Sequence, residues 1–410
     1  MDDKAINWGE VPNVPLVEET KDSIIKVIGV GGGGSNAVNH MYRKGIEGVS
    51  FVVCNTDNQA LEHSPVPNRV KLGDNTTAGL GAGGRPEKAR EAAEESIDRI
   101  KKVLGTDTHM VFVTAGMGGG TGTGASPIVA KVAHDMGILT IGIVTIPFAF
   151  EGFKKIEKAL EGVAELSKHV DAILVINNEK LRLVYPDLEM SDAFAIADDV
   201  LANAAKSIAE IITIPGYVNV DFADVYNTMK DGRVAIMNTG QASGENRITK
   251  AIEDALKSPI VNANDIKGAK KLLLSFYSSK KSQIKMDEVN EINAFIKKIG
   301  QEVDVIWGAT FDDSLEDEVK ITLIATGFDM DCLPDPTLWT GHQQKEKEEV
   351  DEDELDKEEM RKKYIADMYE NIDIPAPKKK EQISVEEEVK TEEEDVEEMD
   401  MDSLDDIDFK

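Results

Sequence analysis

The chain has 410 residues, with 77 Asp and Glu against 46 Lys and Arg and a net charge of −31. That length accommodates two domains and a tail, and that sign of charge excludes a protein that coats nucleic acid through a basic face. Two cysteines, Cys54 and Cys332, lie far apart, so a reducing cytoplasm is expected without disulfides or a cysteine metal site. The polar start Met1-Asp-Asp-Lys lacks signal-peptide character, and the longest apolar run, 137–150, is too short to span a bilayer.

Residues 1–21 read as a mobile N-terminal arm. A buried strand is expected over 23–30. Gly31–Gly34 then turns the chain into a helix from about Ser35. The next strand, 49–55, ends in Asn55-Thr56-Asp57. A glycine-rich loop follows at 73–86, closing with Gly83-Gly84-Arg85-Pro86, and then a charged amphipathic helix over 87–104. The strand 109–115 leads into Gly116-Met-Gly-Gly-Gly-Thr-Gly-Thr-Gly124 and a helix after Ala125. A strand at 139–146, a helix at 156–168 and a strand at 172–177 complete the series. Strands alternating with helices predict an α/β, Rossmann-like parallel sheet covered on both faces, with ligands gathered at the carboxyl ends of the strands.

A long helix is expected over 191–213, with Ser191 as N-cap and Pro215-Gly216 as the stop. Its apolar face includes Phe194, Ala197, Leu201, Ala204, Ala205 and Ile208, and its length makes it a spine between two domains. The region 217–330 mixes helices with strands at 271–278, 304–309 and 319–326, which reads as a second, α+β domain. Residues 343–410 hold 28 Asp and Glu against 11 Lys and Arg. This acidic C-terminal tail is expected to be mostly disordered, although 352–369 has helical character. The expected division is arm 1–21, nucleotide domain 22–190, central helix 191–214, α+β domain 215–330 and tail 331–410.

Five glycines and two threonines within 118–124 are costly to order. A chain accepts that cost where its backbone must closely approach something, most often phosphate, which bare N–H groups and a helix N-terminus attract. The first loop, Gly29-Val-Gly31-Gly-Gly-Gly34, satisfies G-x-G-x-x-G, and Asp57 ends the next strand. Alone, this pattern describes a dinucleotide-binding oxidoreductase. The second glycine loop is superfluous to such an enzyme, and no His has a partnering Asp or Arg. There is no G-x-x-x-x-G-K-[ST], so phosphate charge must be met by backbone N–H groups, helix dipoles and a Mg²⁺ ion.

Gly118-Gly-Gly-Thr-Gly-Thr-Gly124 resembles the signature loop of the tubulin/FtsZ family of GTPases. The first loop with Asn36, Asn55-Thr56-Asp57, Phe150-Glu151-Gly152, Ser167-Lys168-His169-Val170-Asp171 and Asn219-Val-Asp221-Phe-Ala-Asp224-Val225 resemble the bacterial cell-division branch of that family, over about 22–329. The resemblance implies GTP and GDP. Gly32, Gly33, Gly34 and Asn36 would meet phosphates and base, and Gly118, Gly119, Gly120, Thr121, Gly122, Thr123 and Gly124 would surround the phosphates. Gly83 and Gly84 would lie in the loop that senses the terminal phosphate. Glu151 would contact the ribose, Asn178 and Asp199 the guanine, and Phe194 the ring. Where the family usually has Arg, Lys155 stands, without the bidentate fork. Gly83-Gly84-Arg85-Pro86 departs from the usual Gly-Ala-Asn-Pro.

Asp221 and Asp224 would be the catalytic pair, orienting water against GTP held by the next subunit, in a head-to-tail homopolymer at the division site. Read locally, Asp-x-x-Asp is first an N-cap with a first-turn acid, and the two roles are compatible. Phe194 also reads as core, Glu151 as a loop acid and Asp199 as a surface acid. A nucleotide-bound structural protein without turnover is the other alternative. Family tails usually end in a short Asp-Ile-Pro peptide that binds a membrane-tethering adaptor. Here Asp373-Ile-Pro375-Ala-Pro-Lys378 is loosely similar but lies well before the acidic end 401–410, so both segments stand as adaptor sites.

Overall fold

The apolar runs of the first half become the centre of a parallel sheet. In the computed structural model, which describes residues 23–184, 189–256, 268–299, 303–328 and 352–369, the strands β1 (Ile25–Val30), β2 (Ser50–Asn55), β3 (Asn68–Lys71), β4 (Met110–Gly116), β5 (Leu139–Ile146) and β6 (Ala172–Asn177) pair in parallel in the order β3-β2-β1-β4-β5-β6. All eight residues of β5 are buried, as a strand covered by helices on both faces requires. The sheet continues through β7 (Arg233–Ala242), β10 (Val319–Thr326), β8 (Lys271–Ser278) and β9 (Asp304–Phe311). Pairing is antiparallel at β7–β10 and β10–β8 and parallel at β8–β9.

Two hydrophobic cores lie on opposite faces. One holds α1 (Gly31–Arg43), α8 (Met190–Thr213) and α9 (Phe222–Met229), through residues such as Val38, Met41, Leu201, Ile208 and Met229. The other holds α3 (Pro86–Glu95), α4 (Ile97–Leu104), α5 (Thr121–Asp135), α6 (Phe153–Ser167) and α10 (Arg247–Leu256). The last described helix, α12 (Glu352–Met368), joins this second core through Ile365 and Tyr369. Helical character at 352–369 is thus observed. Residues 1–22, 329–351 and 370–410, which carry the expected arm and both candidate adaptor segments, lie outside the described residues. No described helix is long and apolar enough to cross a membrane.

Several boundaries differ for identifiable reasons. Helix α1 begins at Gly31, inside the glycine run. Helix α5 begins at Thr121, so the last four residues of the second glycine loop are already its first turn, while 117–120 remain a turn between β4 and α5. The single helix expected over 87–104 is broken at Ser96, whose hydroxyl donates to the Ala92 carbonyl (2.8 Å) and accepts the Gly73 N–H (2.9 Å). Helix α8 starts after Glu189, which makes no side-chain cap. The short α2 (Asn58–Glu62) was not anticipated; Asp57 caps it, accepting from the Gln59 N–H (2.9 Å) and the Ala60 N–H (3.4 Å). Asp57 therefore has a local occupation, and the dinucleotide reading loses its acidic residue. To the expected elements the structure also adds β3, β7, α7 (Asn178–Val184), α10 and α11 (Met286–Ile299).

The two halves of the sheet meet along a narrow seam, where β6 and β7 pair only at Ala172–Arg233 and Ile173–Val234. Asp171 stitches it. Its backbone carbonyl accepts the Arg233 N–H (2.9 Å), and its buried carboxylate accepts the Thr140 N–H (2.9 Å) and the Lys230 ammonium (2.6 Å). Asp171→Ala is expected to cost about 2 kcal/mol in urea unfolding, chiefly by stranding the buried Thr140 N–H. Lys230→Met should cost at least as much, about 3 kcal/mol, because it leaves the Asp171 carboxylate, only 1 % exposed, without its cation. A loss well below that of Asp171→Ala would show that the amide bond, rather than the ion pair, carries the seam.

Candidate functional site

At the carboxyl ends of β1, β4 and β5 the chain leaves a cleft of roughly 380 Å³, within the range of nucleotide-sized pockets. Its floor is glycine. Gly32 and Gly33 come from the start of α1, and Gly116, Gly119, Gly120, Thr121 and Gly122 from the β4–α5 turn. The two loops also press on each other. A Cβ on Gly31 would stand 2.6 Å from the Gly122 nitrogen, and one on Gly33 would stand 3.1 Å from the Gly116 Cα. Gly118 adopts φ +92°, and its N–H donates to Thr123 Oγ1 at 2.9 Å. Thr121 and Thr56 hydroxyls share a 2.7 Å hydrogen bond that ties the loop to the end of β2. The result is a stiff cradle of backbone N–H groups at two helix N-termini, the arrangement that holds phosphates.

One wall comes from the β5–α6 connection. Pro147, Glu151 and Lys155 line the cleft. Glu151 accepts the Phe148 N–H (2.9 Å) and pairs with Lys155. Its carboxylate is therefore fixed, with an acceptor edge available to hydroxyls. Glu179, at the start of α7 and 1 % exposed, accepts the Ala149 N–H (2.8 Å) and so pins this loop from behind. Beside it, Asn178 lines the cleft, and its Oδ1 is buried without a hydrogen-bond partner among the described residues. A buried acceptor left open costs stability unless a ligand supplies a donor.

The remaining wall is the face of α8 formed by Phe194, Ala197, Asp198 and Leu201. Phe194 is 41 % exposed and meets Phe148 edge-on, with ring centroids 5.3 Å apart. Asp199, expected at the base, is not among the residues lining the cleft. Its carboxylate is taken by His40 Nε2 (2.6 Å) and Lys44. Burial raises the Asp199 pKa, but the Lys44 and His40 hydrogen bonds outweigh it and the net shift is down. Asp198 faces the cleft instead. Burial pushes its pKa up to about 6, with His40 opposing and Asp199 adding to the rise. One residue on a helix is a 100° turn; the phase set by Phe194, through positions i+3, i+4 and i+7, was the signal that selects Asp198.

Other expected residues are near the cleft without lining it. Gly34 and Gly124 are packing glycines: an added Cβ would stand 2.3 Å from the Thr114 carbonyl oxygen and 1.9 Å from the Pro86 carbonyl oxygen. Thr123 and Gly118 shape the loop from within. Gly83 and Gly84, at φ +62° and +72°, stand behind Gly120, where an added Cβ would meet the Gly84 Cα at 3.2 Å. Met117, Thr145, Pro147, Ala197 and Leu201 line the cleft and were not anticipated as site residues. The strand-end rule alone points to Thr145 and Pro147.

Asp221 and Asp224 are elsewhere. They form a reciprocal capping box at the start of α9: the Asp224 N–H donates to Asp221 Oδ1 (2.9 Å) and the Asp221 N–H to Asp224 Oδ2 (3.2 Å). With Asp221 exposed and Asp224 half-buried, the local and catalytic readings are compatible. The neighbouring Phe222 touches His109, which enters β4, with ring centroids 6.0 Å apart. Gly116, which lines the cleft, is at the exit of the same strand. Along a strand of that length the acids stand on the order of 20 Å from their own cleft, on the opposite edge of the sheet.

Comparison with known proteins agrees with this geometry. Residues 24–186 match the model of the Tubulin/FtsZ family, GTPase domain, and 233–329 that of the FtsZ family, C-terminal domain. The cell division protein FtsZ of Porphyromonas gingivalis is 55 % identical over 323 residues, covering 78 % of this chain and 71 % of that protein. The one from Aquifex aeolicus is 46 % identical over 306 residues, covering 74 % and 83 %. Among solved structures, an empty FtsZ dimer from M. jannaschii has a TM-score of 0.68 at 40 % identity over 75 % of this chain and 89 % of that one. A GTPγS-bound CetZ2 protofilament from Haloferax volcanii, at 20 % identity and TM-score 0.64 over 75 % and 93 %, shares the fold. By the two family matches and the identity to these relatives, the chain belongs to the FtsZ branch of the tubulin/FtsZ family and is a GTP-hydrolysing, cytoskeletal protein of cell division.

Proposed function

We propose that GTP bound in the cleft of one copy is hydrolysed with the help of Asp221 and Asp224 of the next copy, so that the complete catalytic site exists only in a head-to-tail polymer. The carrying observation is the separation of cleft and acids onto opposite edges of one sheet. A surface with the cleft at one end and the acids at the other is heterologous, and its repetition does not close.

In this reading the N–H groups of Gly32, Gly33 and Gly119–Gly122, with the N-termini of α1 and α5, hold the phosphates. Gly34, Gly118, Thr123 and Gly124 keep those groups in place. Gly83 and Gly84 stand behind Gly120, where they sense whether a terminal phosphate is present. Glu151 accepts from the ribose hydroxyls and Lys155 holds Glu151. Asn36 and Asn178 address the base, and Phe194 covers its ring. Asp198, in place of Asp199, accepts from the guanine N–H groups. Among the described residues no three His, Cys, Asp or Glu side chains cluster to hold a metal. A Mg²⁺ ion would therefore be held chiefly by phosphate oxygens and water, where it would offset phosphate charge.

The two carboxylates accept hydrogen bonds from a water and orient it in line with the terminal phosphorus. The water–phosphorus bond forms while the water's proton passes to the departing phosphate, the bond to the bridging oxygen breaks, and GDP leaves with the electron pair. The protein works in the cytoplasm at the division site, and a tail segment within 370–410 binds a membrane-tethering adaptor. The division into a nucleotide domain (22–190), central helix (191–214) and α+β domain (215–330) is supported by the seam at Asp171.

Phosphate release per chain should rise steeply with protein concentration. Asp224→Asn retains a cap acceptor but removes charge; it is expected to lower turnover about 100-fold while GTP binding, read by fluorescence of a labelled nucleotide, is unchanged. Activity per chain that stays flat with dilution would overturn catalysis between copies.

Guanine binding should also depend on pH through Asp198. Its ionised form is the acceptor, and its pKa of about 6 means that affinity is full above pH 7 and falls by up to about ten-fold per unit below 6. In Asp198→Asn the profile should be flat. An unchanged wild-type profile in that variant would remove Asp198 from the base site.

A further inference from the structure

The helix α12 is anchored at three points one turn apart. Arg361, Ile365 and Tyr369, at i, i+4 and i+8, are each 1 % exposed, while Lys362, Lys363, Ala366 and Asp367 face outward. Arg361 is close enough to Glu161 on α6 to oppose the burial, and the repulsion from Glu157, that push that carboxyl up to about 7. The decisive contacts are in the last turn. Tyr369 Oη donates to the Pro147 carbonyl at 2.7 Å, and Asn177 Nδ2 donates to the Met368 carbonyl at 3.4 Å. Pro147 itself lines the nucleotide cleft, and Asn177 precedes Asn178, which also does.

These contacts form one network. Asn177 Oδ1 also accepts the Glu179 N–H (2.9 Å), and Glu179 in turn holds the Ala149 N–H. Tyr369 therefore touches, directly or through one residue, both loops that wall the ribose and base. Burial raises the Tyr369 pKa, and the Glu179 and Glu151 carboxylates raise it further, so the phenol remains a donor. Removing the helix leaves the Pro147 carbonyl without its donor and opens the back of the wall to water. Two events that order the same loops assist each other, and by linkage the assistance is equal in both directions.

We infer that residues 352–369 are a nucleotide-retaining strap: the docked helix holds the base-side wall closed, and nucleotide in the cleft holds the helix docked. This rests on the nucleotide reading of the cleft. Any partner that pulls the acidic tail away would then loosen nucleotide on the same chain. Tyr369 is a positioning residue here, acting through Pro147.

The test uses the full chain with GDP, at concentrations below assembly. Release of a fluorescent GDP analogue is timed after addition of excess GDP for wild type, Tyr369→Phe and Ile365→Asp. Hydrogen exchange of 352–369, 147–152 and β4 is followed with and without GDP. Release should quicken about five-fold in Tyr369→Phe and more in Ile365→Asp, with β4 protection unchanged. GDP should slow exchange in 352–369 of the wild type. If Ile365→Asp exposes the helix yet release is unaltered, or if GDP leaves helix protection untouched, the strap is overturned. Failure of the wild type to bind the analogue would instead overturn the cleft reading.

Discussion

The fold depends on two backbones touching. Gly31 meets Gly122 at a distance that leaves no room for a methyl group, and Gly33 meets Gly116 in a tight contact. This contact is what makes the turns after β1 and β4 one surface rather than two loops. It aligns the first turns of α1 and α5 so that their N–H groups converge. The cost of ordering so many glycines is offset partly by loop–loop packing and by the cores on either side of the sheet. A phosphate ligand then meets donors that are already in place, and spends little of its binding energy arranging them. Side-chain cations are nearly absent from this floor; Lys155, the nearest, is committed to Glu151.

The sheet converts this local cradle into a directional object. Parallel strands deliver all their carboxyl ends, and hence the glycine turns, to one edge. The same strands deliver their entry ends, and with them the start of α9, to the other. The second half of the sheet is fixed to the first by a seam only two residue pairs long, reinforced by a single buried aspartate. Long α8 lies along this arrangement, contributing Phe194 and Asp198 to the cleft near its start and Leu201 to Ile211 to the core beyond. The element that lines the cleft therefore also packs in a core that draws residues from both halves of the sheet.

Much of this was legible from residue order. Strands at 139–146, 172–177, 271–278 and 319–326 match the apolar runs, because continuous burial writes itself as continuous hydrophobicity. Strand β7 escaped notice because its second half, Asn238 to Ala242, is polar or small and only alternately buried. The glycine motif was readable, but not the division of labour within it: a glycine that admits phosphate and one that admits a neighbouring carbonyl, such as Gly124 against Pro86, look the same in sequence. Asp198 and Asp199 differ by one position, and only helix phase separates a cleft-facing acid from one paired with His40 and Lys44. Asp57 completed the dinucleotide pattern and is a helix cap, since an N-cap and a nucleotide contact ask for the same short acid at the same strand end. The burial of Arg361 and Tyr369 was invisible, for an acidic segment advertises its solvated face and hides the three residues on the other.

The placement of cradle and acids on opposite edges has an arithmetic consequence. Under the proposed catalysis between copies, one terminus of any open chain of protomers presents acids with no triphosphate to act upon, while the far terminus holds a triphosphate that no neighbour attends. A pair of protomers thus encloses a single finished centre, and the yield per protomer approaches unity only as the row lengthens. Fragmenting a long row idles one centre at every break, so the rate of fuel consumption becomes a measure of mean row length rather than of protein mass alone.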